Sequence, residues 1–134
     1  MAEDKNIEEP YMQLQLLQQQ VEQVAEYLET LQRQQIELDT SIEALHGLQK
    51  TEINTDILAP LANGIFLKAE LKDNKRLVVN VGSEVTVEKS VPEVIALLEE
   101  QKERIIKNIS EAETIFQQLQ EQGRKMYQEI EVRS

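Results

Sequence analysis

Two heptad-patterned segments of nearly equal length stand at opposite ends of the chain, separated by a short valine-rich, glycine-punctuated stretch. In the first, apolar residues step by three and four through Leu14, Leu17, Val21, Val24, Leu28 and Leu31, pass a polar Gln35, and resume at Leu38, Ile42 and Leu45. The second runs Val91, Ile95, Leu98, a polar Lys102, Ile105, Ile109, Ala112, Phe116, Leu119, Gly123, Met126 and Ile130. Alternating steps of this kind keep one seam on the same side of an underwound helix, the coiled-coil pattern. Held over about five heptads in each arm, it commits most of the 134 residues to helical rods and leaves little for a closed core.

Local chemistry sets the limits of the arms. Pro10 fits the first turn of a helix, where its missing N–H has no intrahelical partner, and Glu8 and Glu9 suit the positive helix end. Gly47, next to His46, reads as a C-terminal stop, so the first helix is expected over residues 9–46. The second helix, expected over 91–131, opens on Ser90-Val91-Pro92-Glu93, in which Ser90 can cap and Glu93 can complete a capping box. Paired within one chain through a compact centre, the arms must run antiparallel. With residues 46 and 91 level, opposing positions sum to about 137; Tyr11 then faces Met126, Leu14 faces Gly123, and both chain ends share one free tip. Parallel pairing of each arm with another chain is the alternative, since heptads alone do not choose a partner.

Between the arms the period changes from helical to alternating. The run from Ile57 to Ala62, the dipeptide Asn63-Gly64 and the run from Ile65 to Leu71 form a hairpin signal, with Asn-Gly suited to the positive φ angles of a type I′ turn. A second hairpin follows in Leu77–Val81 and Val85–Lys89, joined by Gly82-Ser83-Glu84, after a loop at Asp73-Asn74-Lys75. Pro60 lacks a donor, which places the first strand at an edge or ends its pairing there. Two hairpins over 57–89 cannot bury a core alone. The apolar residues Ile65, Leu67, Leu77, Val79, Val81, Val85 and Val87 are therefore expected to join other chains in a shared sheet or barrel. A hairpin cap packed on its own helices is the other possibility.

Several functions are disfavoured by composition. The net charge of −11 divides into −8 over residues 1–46, zero over 47–90 and −3 over 91–134, so the arms repel both phosphate backbones and anionic membranes. No stretch approaches a membrane span, and the acidic N-terminus lacks the apolar region of a signal peptide, so a soluble cytoplasmic protein is expected. With no cysteine and His46 as the only histidine, no metal site, cofactor site or nucleophile–base pair is expected, and the four glycines are too scattered to cradle phosphate. An enzyme is not indicated. The tip carries the functional signal instead: Tyr11, Met12, Leu14 and Leu16 from the first arm with Leu119, Met126, Tyr127 and Ile130 from the second exceed what one seam can bury. Adaptable Met and amphipathic Tyr there suit binding of apolar segments without strict sequence demand.

Arm, two hairpins, arm is a layout that resembles the alpha-class prefoldin subunit. The run Pro60–Leu71 is similar to that family's first hairpin and Leu77–Lys89 to its second, while Glu84 departs from the second glycine often found in that turn. The resemblance covers essentially the whole chain as one prefoldin-like domain, 1–134, of α+β class, mainly α. It implies an archaeal, cytoplasmic, ATP-independent holdase. Two alpha and four beta subunits would join their hairpins into a β-barrel carrying six coiled coils, whose tips capture unfolded clients and pass them to a group II chaperonin. A structural coiled-coil tether with one defined partner is the rival reading.

Overall fold

A computed structural model of the chain describes the backbone of residues 2–133 and the side chains of residues 9–132. Its elements follow the expected order: α1 (Ala2–Lys50), β1 (Asp56–Ala62), β2 (Ile65–Glu70), β3 (Arg76–Gly82), β4 (Val85–Ser90) and α2 (Val91–Arg133). They divide into two compact units. One, the terminal unit, holds α1 through Ile36 with α2 from Glu103 onward; the other, the central unit, spans Glu37–Lys102.

In the terminal unit the seam read from the heptads is the buried stripe. Leu17, Leu31, Ala112 and Ile130 are buried, and Leu14, Val21, Val24, Leu28, Ile105, Ile109, Phe116, Leu119 and Met126 are half-buried between exposed neighbours. The helices pair antiparallel, with a register different from the expected one. A Cβ added at Gly123 would lie 3.2 Å from Leu17 Cδ2, so Gly123 packs beneath Leu17 rather than opposite Leu14. The central unit shows the same offset, since Lys102 Nζ pairs with Asp39 Oδ1 at 2.5 Å.

The end of α1 explains that offset. The helix does not stop at Gly47 but continues to Lys50, about one helical turn further, while α2 begins at Val91, and the register moves accordingly. Leu48 carries the seam one step further and is half-buried. Its burial outweighs the roughly 1 kcal/mol that a helical glycine costs. Thr51 then closes the last turn: its Oγ1 donates to the Gly47 carbonyl at 2.8 Å and its N–H to the Leu48 carbonyl at 3.1 Å. Asn74 Nδ2 donates in turn to the Thr51 carbonyl at 2.9 Å.

The other end of α1 also outruns its expected limit, because Pro10 lies inside the helix rather than in its first turn. Proline there leaves one carbonyl of the preceding turn without its helical donor, a loss suffered close to a helix end. Glu8, expected to favour the helix start, has a side chain outside those described. The start of α2 carries the expected N-cap: the Glu93 N–H donates to Ser90 Oγ at 3.2 Å, one half of the capping box. Val91, fully buried, donates its N–H to the Lys75 carbonyl at 2.9 Å and so ties α2 to the loop between the hairpins.

The two hairpins are copies of one plan. Each element of the second begins and ends twenty residues after its counterpart in the first. Both pair antiparallel, from Asp56 with Glu70 and from Arg76 with Ser90, and both shift register just before the turn, between Pro60 and Ala62 and between Asn80 and Gly82. Pro60 thus pairs with Phe66 and does not end the strand.

Their turns differ from expectation in an instructive way. Of Asn63-Gly64 only Gly64 has a positive φ, 77°, so the type I′ pattern is absent from the first turn. It appears instead in the second, where Ser83 and Glu84 have φ of 50° and 62° after Gly82 at 118°. A side chain in this left-handed region is strained by about 1 kcal/mol, so Glu84 occupies a position that glycine would fill more easily.

Candidate binding and assembly surfaces

Each hairpin is a sheet of two strands, so every strand leaves one edge of N–H and C=O groups unpaired. No strand residue belongs to the buried core of the described residues. Of the expected assembly residues, Ile65, Leu67, Val81 and Val85 are exposed, while Leu77, Val79 and Val87 are half-buried along one face of the second hairpin.

The alternation of side chains places further apolar residues where the sequence reading looked at one face only. Leu58 and Phe66, on the opposite face of the first hairpin from Leu67, are 64% and 57% exposed, and Leu61 at the bulge is 71% exposed. The corresponding face of the second hairpin carries Val78 beside Glu88, Asn80 and Thr86. The first hairpin therefore offers apolar surface on both faces and the second mainly on one. Their twofold copying of the backbone does not extend to the side chains.

Charges around the hairpins are local. Asp73 Oδ1 accepts the N–H groups of Lys75 at 2.7 Å and Arg76 at 3.2 Å, which holds its carboxyl below the usual range and fixes the loop between the hairpins. Lys102, a polar interruption of the seam, is satisfied by Asp39; that hydrogen bond raises its pKa above the ordinary lysine value.

The second surface lies in the terminal unit, at the end of the helix pair that carries residues 9–22 and 119–132. Tyr11, Met12, Leu16 and Tyr127 are exposed there, Leu14, Leu119 and Met126 are half-buried, and Ile130 is buried. An open groove of about 520 Å³ runs between the helices, lined by Leu14, Leu17, Val21, Leu119, Gly123 and Tyr127. In the seam beside it, α2 presents glycine where the heptad calls for a large side chain, and Leu17 packs onto that glycine. Polar residues rim the groove, with Gln18 and Glu22 on α1 and Gln120 and Arg124 on α2. Heptad counting passed over these four because they flank the seam; Gly123 at a seam position was the signal that could have located them.

The described residues hold no cluster of His, Cys, Asp or Glu able to bind a metal ion, and no described helix is long and apolar enough to cross a membrane. Two long helices with two antiparallel β-hairpins between them define the class of fold. Residues 17–134 match the prefoldin subunit family. The prefoldin alpha subunit of Methanococcus aeolicus is 30% identical over 96% of this chain and 92% of its own. That of Archaeoglobus fulgidus is 27% identical over 99% and 97%, and prefoldin subunit alpha 1 of Thermococcus kodakarensis 41% identical over 74% and 68%. Among solved structures, the filamentous PFD of Methanocaldococcus jannaschii shares the fold, with a TM-score of 0.74 at 16% identity over 87% of this chain and 96% of that one. The chain belongs to the prefoldin family of chaperones, with archaeal alpha subunits among its relatives.

Proposed function

We propose that this chain is the alpha subunit of a cytoplasmic, ATP-independent holdase that captures unfolded polypeptides and delivers them to a group II chaperonin. Residues 1–134 act as one prefoldin-like domain. The hairpins join two such chains to four beta-class subunits through a shared β-barrel, burying the strand edges and the apolar residues now exposed beside them. Client capture falls to the terminal unit, through Tyr11, Met12, Leu14, Leu16, Leu119, Met126, Tyr127 and Ile130; Ile130 contributes by supporting the helix pair from within. No cofactor or catalytic residue enters this reading, and neither nucleic acid nor membrane is a partner.

The observation that carries it is the exposed apolar surface around an unfilled groove, on paired helices whose own seam is already buried. Such a surface, open and flexible in its Met and Tyr members, suits many apolar segments rather than one shaped ligand. The test is aggregation of several unrelated unfolded proteins diluted from denaturant, in the presence of the chain reconstituted with a beta-class subunit. Suppression of most of them without ATP is the expected result. Suppression of none, with one defined partner bound instead, would establish the tether reading.

A further inference from the structure

We infer that the groove around Gly123 selects apolar segments flanked by lysine or arginine, an inference that rests on the capture reading above and specifies the class of client. The two walls of the groove differ in charge. On α1 no Lys, Arg or His stands between Lys5 and Arg33, while Glu8, Glu9, Glu22, Glu26 and Glu29 do, and Glu22 lines the groove itself. Among the described residues Glu22 forms no ion pair. On α2 the one charged residue lining the groove is neutralised: Arg124 donates through Nη2 and Nε to the two carboxylate oxygens of Glu121 at 2.5 and 3.3 Å, which lowers the glutamate pKa and raises that of the arginine. Lys125 and Glu129 follow one turn apart on the same helix. The field over the groove mouth is therefore set by α1, and it is negative.

A segment lying across the groove places one large apolar side chain among Leu14, Leu17 and Leu119. Neighbouring residues of that segment then reach the α1 rim. A lysine or arginine there lays its aliphatic stem over apolar surface and its cation against Glu22, whereas an aspartate or glutamate meets uncompensated like charge. Apolar contact supplies attachment, and the acidic wall ranks the segments that attach.

Three fluorescein-labelled peptides with the same apolar centre and flanking Lys, Gln or Glu residues test this, by anisotropy against the full chain reconstituted with its beta-class partner. The Lys-flanked peptide should bind about tenfold more tightly than the Glu-flanked one at low salt, with Gln between them, and the spread should shrink below about twofold in 0.5 M salt. Glu22→Gln should narrow the spread by about twofold and Glu22→Lys further still. Equal binding of all three peptides would overturn charge selection while leaving capture intact. Binding of none would overturn the capture reading itself. A Lys preference unchanged by Glu22→Lys would place the selection outside this groove.

Discussion

In the helices, the heptad side chains turn against one another until Leu31, Ile42 and Ala112 are at most 7% exposed, whereas in the strands Leu58, Leu61, Phe66 and Val78 remain 57–71% exposed. Both regions spend similar residue types on very different ends. The helix pair satisfies its apolar stripe within one chain, so its stability belongs to that chain. The hairpins present exposed apolar side chains and unpaired edges, which on the proposed function are covered in an assembly. A third kind of apolar surface, around Gly123, interrupts an otherwise closed seam, and there the chain retains exposure on a helix pair already able to hold itself together.

Truncation separates the two regions most sharply. Leu31→Ala should destabilise the single chain by about 2–5 kcal/mol in urea unfolding, because it opens a cavity in the buried seam. Phe66→Ala should change the stability of the isolated chain by less than about 0.5 kcal/mol. In the reconstituted complex, however, it should weaken assembly by about 2 kcal/mol or more, read from the concentration dependence of mass. If Phe66→Ala unfolds the isolated chain as severely as Leu31→Ala, the hairpins are a core of their own and the contrast fails.

The turns sharpen the comparison within the hairpins. Glu84→Gly should stabilise the second by about 1 kcal/mol by relieving a left-handed side chain, and Gly64→Ala should destabilise the first by a similar amount. Local hydrogen exchange at the paired strands reads both changes. The opposite signs follow from φ, positive at both Glu84 and Gly64, with open space where a Cβ at Gly64 would stand.

The two helical glycines provide a smaller contrast. Gly47 has open space where a Cβ would stand, so Gly47→Ala should raise the melting temperature by a gain of up to about 1 kcal/mol. Gly123→Ala should gain less, because its methyl group meets Leu17 Cδ2 at 3.2 Å and the leucine must shift. The smallest effect concerns Asp73. Its folded-state pKa is depressed, so its contribution to stability is present above the unfolded-state pKa and is lost as pH falls through the folded one. Titration of its carboxyl by NMR should show the midpoint below the ordinary aspartate value, and Asp73→Asn should return the loop's acid sensitivity to that of its surroundings.

Much of this architecture was legible because period is a strong signal. Steps of three and four from Leu14 to Leu45 and from Val91 to Ile130 marked the buried stripe residue by residue, and the hairpin limits lay within one residue of the strands. Helix ends were less legible, because Gly47 is a stop only when nothing beyond it repays continuation, and Leu48 does. That one turn also displaced the register, so Leu17 rather than Leu14 covers Gly123. The type I′ geometry was assigned to the turn with the better residues, Asn63-Gly64, while the backbone places it at Ser83-Glu84, a choice settled by the bulge and strand pairing around each turn rather than by its two central residues. The groove itself needed three dimensions: its floor is a seam, but its rim is made of polar residues that heptad positions do not single out.

The central claim, that one unit captures clients and the other assembles, is tested most directly by deleting residues 1–16 and 120–134 and measuring, on the same preparation, the native mass with a beta-class subunit and the suppression of client aggregation. An assembly of undiminished subunit number is expected, with client suppression by the alpha subunits lost. Loss of assembly with suppression retained would show that the two roles are reversed between the units.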